Sequence, residues 1–227
     1  MKTHLNKPQK QNAAKRIFQI LLLILLSVSL AAGFRLVKTV LLKPGTIGNV
    51  MQLNASESEE PIMPEDGMPY WFQYDESIAD LFYGEGPIRE TGCGPTALAM
   101  IFYDLGLENL SPAQAAAYAD AHGYYQPGAG IMWAFFTDYA QANGIEAYQI
   151  VASEESLLEE LRAGHDLLFS MGPGDFTRSG HIIAAKGIDE EGKTNVHDPN
   201  SKKNSRPWLL TDLLVQANAV FAYRHPN

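Results

Sequence analysis

The 227-residue chain is 46% hydrophobic and 10% aromatic, enough to bury a core, and its formal net charge is −9. Residues 1–43 hold eight basic residues and no acid, which leaves nine basic residues against all 26 acidic ones in the remainder. That excess excludes a nucleic-acid partner, which needs a basic footprint, and docking on anionic lipid; it is compatible with basic or neutral peptides.

In chain order, residues 1–16 form a basic tail ending in Lys15-Arg16. Residues 17–34 follow without a charge and are nearly all apolar, close to the roughly 20 residues that cross a bilayer. Arg35 and Lys38 interrupt the far side, but apolar character continues to Leu42. The segment 17–42 therefore reads as a transmembrane anchor that keeps its basic tail inside, or as a signal peptide cut after a small residue near Ala31-Ala32-Gly33. Either way the acidic bulk is expected outside the cytoplasm, as the extracellular part of a single-pass membrane protein or as a secreted one. Residues 43–69 carry an acidic run and a scatter of Pro and Gly, which predicts a tether with few buried residues. The folded domain is expected over 70–227.

Within it, apolar spacing predicts a helix over 94–105 capped by Gly106. A second opens at Ser111-Pro112, an N-cap serine before an N1 proline, and closes at Gly123. A third spans roughly 131–143, a strand 145–151, and a fourth helix runs from Ser153 to Gly164. Short strand-like runs then cover 167–171, 180–188, 194–197 and 219–223. Helices first and strands later is an α+β pattern.

The single cysteine, Cys93, lies in Gly92-Cys93-Gly94-Pro95-Thr96. It cannot make an internal disulfide. A helix N-terminus favours its thiolate, and flanking glycines would let a substrate backbone approach. A thiolate nucleophile needs a base, a group orienting that base, and donors for the oxyanion. Of six histidines, His4 and His225 are terminal, His122 is placed to cap a helix and His165 reads as surface. His181 enters an apolar strand from a glycine-rich loop, on a firm platform with an open approach. In Val196-His197-Asp198, alternation puts Asp198 inward with Val196 and turns His197 out, so Asp198 is the candidate orienter. Gln73, in an aromatic stretch, is the candidate side-chain oxyanion donor beside the Cys93 N–H. Each has a bland alternative: a buried thiol, a strand-end histidine, a turn aspartate, a surface glutamine.

Residues 187–194 spell the phosphate-loop pattern, but three carboxylates inside the loop and no following helix reject a nucleotide site. They read better as the hairpin turn that returns Asp198 to His181. Histidine and carboxylate spacing predicts no metal, and no cofactor is expected.

The order Gln73, Cys93, His181, Asp198, with Phe72-Gln73-Tyr74-Asp75, Thr91-Gly92-Cys93-Gly94-Pro95-Thr96-Ala97, Phe176-Thr177-Arg178-Ser179-Gly180-His181 and His197-Asp198-Pro199-Asn200, resembles the papain-like cysteine peptidases. It is most similar to the bacteriocin-processing, double-glycine-leader peptidase family in its stand-alone branch, over about residues 70–224. The resemblance implies a papain-like fold, with a helical part bearing the nucleophile and a C-terminal antiparallel sheet. It implies Cys93 as nucleophile, His181 as base and acid, Asp198 as orienter and Gln73 in the oxyanion hole, acting on a peptide or protein substrate. The transporter-linked members carry an ATPase, and this chain has no nucleotide site, so the substrate stays open. A non-catalytic surface binding module, or acyl transfer and amide hydrolysis on cell-wall peptides, are the alternatives on the same scaffold.

Overall fold

The computed structural model describes residues 62–224. The anchor or signal segment, the basic tail and most of the expected tether lie outside these residues. Among the described residues no helix is long and apolar enough to cross a membrane.

The chain enters through a bridge between Ile62 and Tyr70. A small hairpin follows, β1 (Phe82–Tyr83) with β2 (Gly86–Pro87), then a single helical turn α1 (Ile88–Thr91). Helix α2 (Cys93–Asp104) is next, then α3 (Pro112–Ala121). A second hairpin pairs β3 (Tyr125–Gln126) with β4 (Gly130–Ile131) and leads to α4 (Ala134–Ala142) and β5 (Glu146–Ile150). Helix α5 (Glu154–Arg162) and strands β6 (Asp166–Met171), β7 (His181–Lys186), β8 (Lys193–His197) and β9 (Pro207–Leu209) come next. Helix α6 (Leu210–Leu214) and β10 (Ala217–Arg224) close the fold.

The last six strands form one antiparallel sheet in the order β5-β10-β6-β7-β8-β9. The expected α+β architecture is therefore present. Period-two alternation splits each central strand between two cores. Leu168, Ile182, Ala184, Phe221 and Tyr223 face α2 and α4 through Leu98, Met100, Phe102, Phe135 and Phe136. Leu167, Phe169, Ile183, Ala185, Val196 and Val220 face α5 and α6 through Leu157, Leu161, Leu210 and Leu213. Because both faces are covered, β6 and β7 read as continuous apolar runs rather than alternating ones.

Local signals set most boundaries. The Ser111 side chain accepts from the Gln114 N–H in a capping box, and Ser153 accepts from the Ser156 N–H. Asp189 forms the turn between β7 and β8 as expected, its carboxylate accepting from the Glu191 and Lys193 N–H groups at 2.9 and 2.8 Å. Three expectations need correction. The third helix starts at Ala134 rather than near 131, because Gly130–Ile131 pair with Tyr125–Gln126. Helix α2, whose apolar Ala97, Met100, Ile101 and Leu105 predict a single buried face, is buried all round along 94–102, since the sheet covers it on one side and α3 on the other. The fold also begins before Tyr70: Met68 is fully buried and Asp66 is bonded to the sheet, so 62–69 is a strap and not a loose tether.

Candidate active site

Cys93 is the first residue of α2, half-buried, on a helix whose first N–H groups have no intrahelical carbonyl. Gly92 is needed there for packing, contrary to the expected open approach: a Cβ at this position would stand 2.6 Å from the Ile88 carbonyl oxygen. Gly94 is tight as well, 3.1 Å from Ile131 Cγ2. The flanking glycines thus let the short turn α1 run directly into α2 and fix where the sulfur emerges.

His181 opens β7 opposite Met171 of β6. The loop that delivers it is pinned by Gln216. Gln216 Oε1 accepts from the Asp175 N–H at 2.6 Å, its Nε2 donates to Asp175 Oδ2 at 3.0 Å, and its carbonyl accepts from the Gly172 N–H at 2.8 Å. His181 Nε2 lies 2.7 Å from Asp198 Oδ1, with both side chains buried. The imidazole also hydrogen-bonds Cys93, and with Nε2 engaged by Asp198, Nδ1 is the nitrogen left for the thiol.

Asp198 stands one residue past β8. The Asn200 N–H donates to Oδ1 at 2.8 Å and Asn204 Nδ2 to Oδ2 at 3.1 Å. Its own N–H donates to Ser205 Oγ at 3.0 Å. Asp198 is thus both the turn former and the histidine's partner. Asn204 and Ser205 were not singled out from the sequence; the polar run after Asp198-Pro199 was the available signal.

Gln73 is buried and ties the site together. Its N–H donates to the Pro199 carbonyl at 2.8 Å, and its Nε2 donates to the Arg89 carbonyl at 2.7 Å. One contact holds the Asp198 turn, the other the turn just before Cys93. The second N–H of Nε2 has no such engagement, and Oε1 is a buried acceptor without a partner. Swapping the amide would aim two acceptors at each other across the Arg89 contact, so this orientation is the sound one.

The electrostatics converge on an ion pair. Burial pushes the Cys93 thiol up, but the His181 hydrogen bond and charge, with the Ile182 and Gly94 backbone groups, outweigh it and leave the thiol below its ordinary value. Burial opposes the charged form of His181, yet hydrogen bonds to Asp198 and Cys93, reinforced by their charges, hold it up at about 10. Both shifts run the same way, toward thiolate on Cys93 and imidazolium on His181.

The other histidines divide. His122 Nδ1 faces the Tyr118 carbonyl at 2.8 Å at the end of α3, the expected capping place. His165 is not a surface residue; it is half-buried, 2.6 Å from Glu160 Oε2. His197 does not face solvent. It is fully buried, with Nε2 2.9 Å from Asp66 Oδ2, Nδ1 3.3 Å from the Pro69 carbonyl, and its ring on Tyr70 at 4.5 Å. Its expected side of the sheet is not open to water, because the strap covers it. No cluster of residues fit to hold a metal ion occurs among the described residues.

A thiol, an imidazole and a carboxylate in sequence, with a spare amide donor beside them, is the equipment of a thiol hydrolase. The Peptidase_C39 like family model matches residues 65–223, and the chain belongs to that family. It is accordingly a cysteine peptidase, a hydrolase. No curated protein sequence matches the chain. Among solved structures it is similar to a C39-like peptidase from Bacillus anthracis, at 12% identity over 73% of this chain and 98% of that one, with a TM-score of 0.48. It is also similar to the peptidase domain of Streptococcus ComA, a bifunctional ABC transporter of a quorum-sensing pathway, at 16% identity, 61% and 93% coverage and a TM-score of 0.49. A double-glycine-motif protease from an AMS/PCAT transporter, solved with its leader peptide, gives 15% identity, 60% and 86% coverage and a TM-score of 0.42.

Proposed function

We propose that the protein is an exported, membrane-tethered peptidase in which Cys93, His181 and Asp198 act as a triad and Gln73 as an oxyanion donor. The observation that carries this is the buried His181–Asp198 contact of 2.7 Å next to a thiol that His181 itself hydrogen-bonds. The Cys93 thiolate attacks the scissile carbonyl. Negative charge builds on the carbonyl oxygen, for which the Cys93 N–H and the spare N–H of Gln73 are the donors. His181 gives its proton to the departing amine, leaving a thioester on Cys93. It then takes a proton from water, whose hydroxide attacks the thioester, releases the acid and restores the thiolate–imidazolium pair. Asp198 holds the ring and its charge throughout. This thiolate–imidazolium pairing favours catalysis over a binding role on the same scaffold.

The pH dependence of Cys93 alkylation by iodoacetamide tests the reading. The rate should plateau well below the free-thiol value of about 8.5, and His181→Ala should push the plateau back up. A free-thiol profile that His181→Ala leaves alone would sink the triad. For the tether, protease added to intact cells should release a fragment that begins within residues 43–61. Full protection would refute export, and a mature N-terminus near Gly33 would mean a cleaved signal.

A further inference from the structure

We propose that the peptide this site cleaves is acidic on the leaving-group side of the scissile bond, an assignment that rests on the catalytic reading above. The chain as a whole is acidic, so the placement of its few cations is informative. Among the described residues, Arg89, Lys186, Lys193 and Arg224 are matched to Asp80, Asp104, Glu191 and Glu146. Arg162 lies in a groove with Glu154, Asp189, Glu190 and Glu191. The four that remain, Arg178, Lys202, Lys203 and Arg206, are exposed and make no ion pair among the described residues. All four sit on the two loops that frame the His181–Asp198 pair.

Those loops meet in one rim. Phe176, beside Arg178 in the loop before His181, packs on Trp208 at 4.7 Å, and the Arg206 guanidinium lies 4.0 Å over the same Trp208. Lys202 stands 5.2 Å over Phe72, the neighbour of Gln73. Aromatic faces thus hold two of the cations without neutralising them. No acid occurs from 199 to 206, and the one acid of the 172–180 loop, Asp175, accepts from Gln216. The 199–206 loop is also stiff. Asn204 donates to Asp198 Oδ2, Ser205 Oγ bonds the Ser201 carbonyl at 3.0 Å, and Trp208 Nε1 donates to the Asn204 carbonyl at 2.8 Å. The turn that orients the catalytic histidine therefore presents a preorganised positive edge.

Direction follows from the chemistry. The departing amine takes its proton from His181, so the chain attached to it leaves past the loops that carry His181 and Asp198. Carboxylates there meet Arg178, Lys202, Lys203 and Arg206. With a screening length of about 8 Å in physiological salt, the charges nearest the site weigh most in the fit.

The test is a digest of a mixed peptide library by the full-length protein in detergent, with cut sites read by mass spectrometry. Asp and Glu should be enriched in the few residues after the cut. K202E/K203E/R206E should abolish the enrichment and lower kcat/KM on the best acidic substrate about tenfold. Raising salt to 1 M should shrink the preference, and R162E should leave the cut profile unchanged. Cuts without acidic bias, or an identical bias in the triple variant, would overturn the assignment while leaving the peptidase reading intact. No cuts beyond those of Cys93→Ala would sink the peptidase reading instead. The edge is then judged separately by protection of Cys93 from iodoacetamide. Hexaglutamate should protect, hexalysine should not, and the triple variant should lose the protection. Equal protection by both peptides, or capture of anionic phosphatidylglycerol vesicles with no protection by hexaglutamate, would overturn the acidic-peptide assignment.

Discussion

Two buried histidine–aspartate pairs lie on neighbouring strands of one sheet, and they differ in what the second imidazole nitrogen meets. His181 has Asp198 at 2.7 Å on one nitrogen and the Cys93 thiol on the other. His197 has Asp66 at 2.9 Å on one and the Pro69 carbonyl at 3.3 Å on the other. Both imidazoles are buried and both carboxylates are in place, Asp198 buried and Asp66 partly so. The first pair faces a group that can gain and lose a proton in a reaction. The second faces a carbonyl and can only hold the strap down. An imidazole–carboxylate pair is therefore not by itself a sign of catalysis; the third partner decides.

The largest expected effect separates them by chemistry. Cys93→Ala or His181→Ala should lower kcat by orders of magnitude with little change in melting temperature. His197→Ala should do the reverse. Removing one partner of a buried pair costs about 3 kcal/mol, of order 10 °C in Tm for a domain this size, while the folded fraction keeps most of its turnover. Equal losses of turnover in the two histidine variants, both folded, would break the comparison.

Next comes the residue that reaches both halves of the site. Losing one oxyanion donor typically costs about 2.7–4 kcal/mol in the barrier, so Gln73→Ala should lower kcat by roughly 100- to 1,000-fold with little effect on KM. Gln73 also ties the Asp198 turn to the segment before Cys93. The clean signature is thus a kcat loss larger than any loss of stability. Gln73→Glu should be at least as harmful, because a carboxylate would oppose the oxyanion.

The pH dependence sharpens the contrast further. Activity should rise with Cys93 ionisation, below the ordinary thiol range, and fall as His181 loses its proton near pH 10. His181 is raised above its unfolded value, so its stabilising contribution is complete below about pH 6.5 and fades as pH climbs toward 10. Asp66 behaves oppositely. Burial raises it, but the His197 hydrogen bond and charge and the Met68 N–H outweigh burial and leave it lowered. Its contribution is present above the unfolded carboxylate value of about 3.9 and is lost as pH falls through its folded value. Asp66→Asn should therefore abolish part of the acid-induced fall in Tm and leave the alkaline limb of activity alone.

Much of the first pair was legible in the chain, and almost none of the second. Glycines around a lone cysteine at a helix start, a histidine entering an apolar strand and a hairpin turn between it and Asp198 are local signals, and each marked its residue. Alternation puts His197 on the correct side of its strand but not in the correct environment, because it gives a side and not what covers it. The cover is Asp66 to Tyr70, more than 120 residues away in a stretch whose prolines, glycines and acids resemble a tether. The hairpins β1–β2 and β3–β4, strand β9 and helix α6 are too short to carry a period. The cationic edge was visible as Lys202, Lys203 and Arg206, but the net charge of the chain masked it.

A third buried aspartate completes the series, since it has no histidine at all. Asp166 opens β6, is fully buried, and leaves both carboxylate oxygens without a charged donor, next to Asp104, which Lys186 already holds at 2.5 Å. Burial, then the nearby Asp104 charge, drive its carboxyl far above the usual range. The sign is that of an acid whose folded value is raised. Its penalty is absent below the unfolded value of about 3.9 and grows as pH rises above it, because the unfolded chain gives up the proton that the folded chain keeps. An asparagine reproduces the protonated acid, with an N–H to offer Asp104, and has no proton to retain. Asp166→Asn should thus be near neutral at pH 4 and raise Tm by a few degrees at pH 8, with kcat unaffected. Calorimetry at the two pH values decides it: a destabilisation that grows with pH would mean that Asp166 is ionised in the fold and is held by a partner, as Asp198 and Asp66 are.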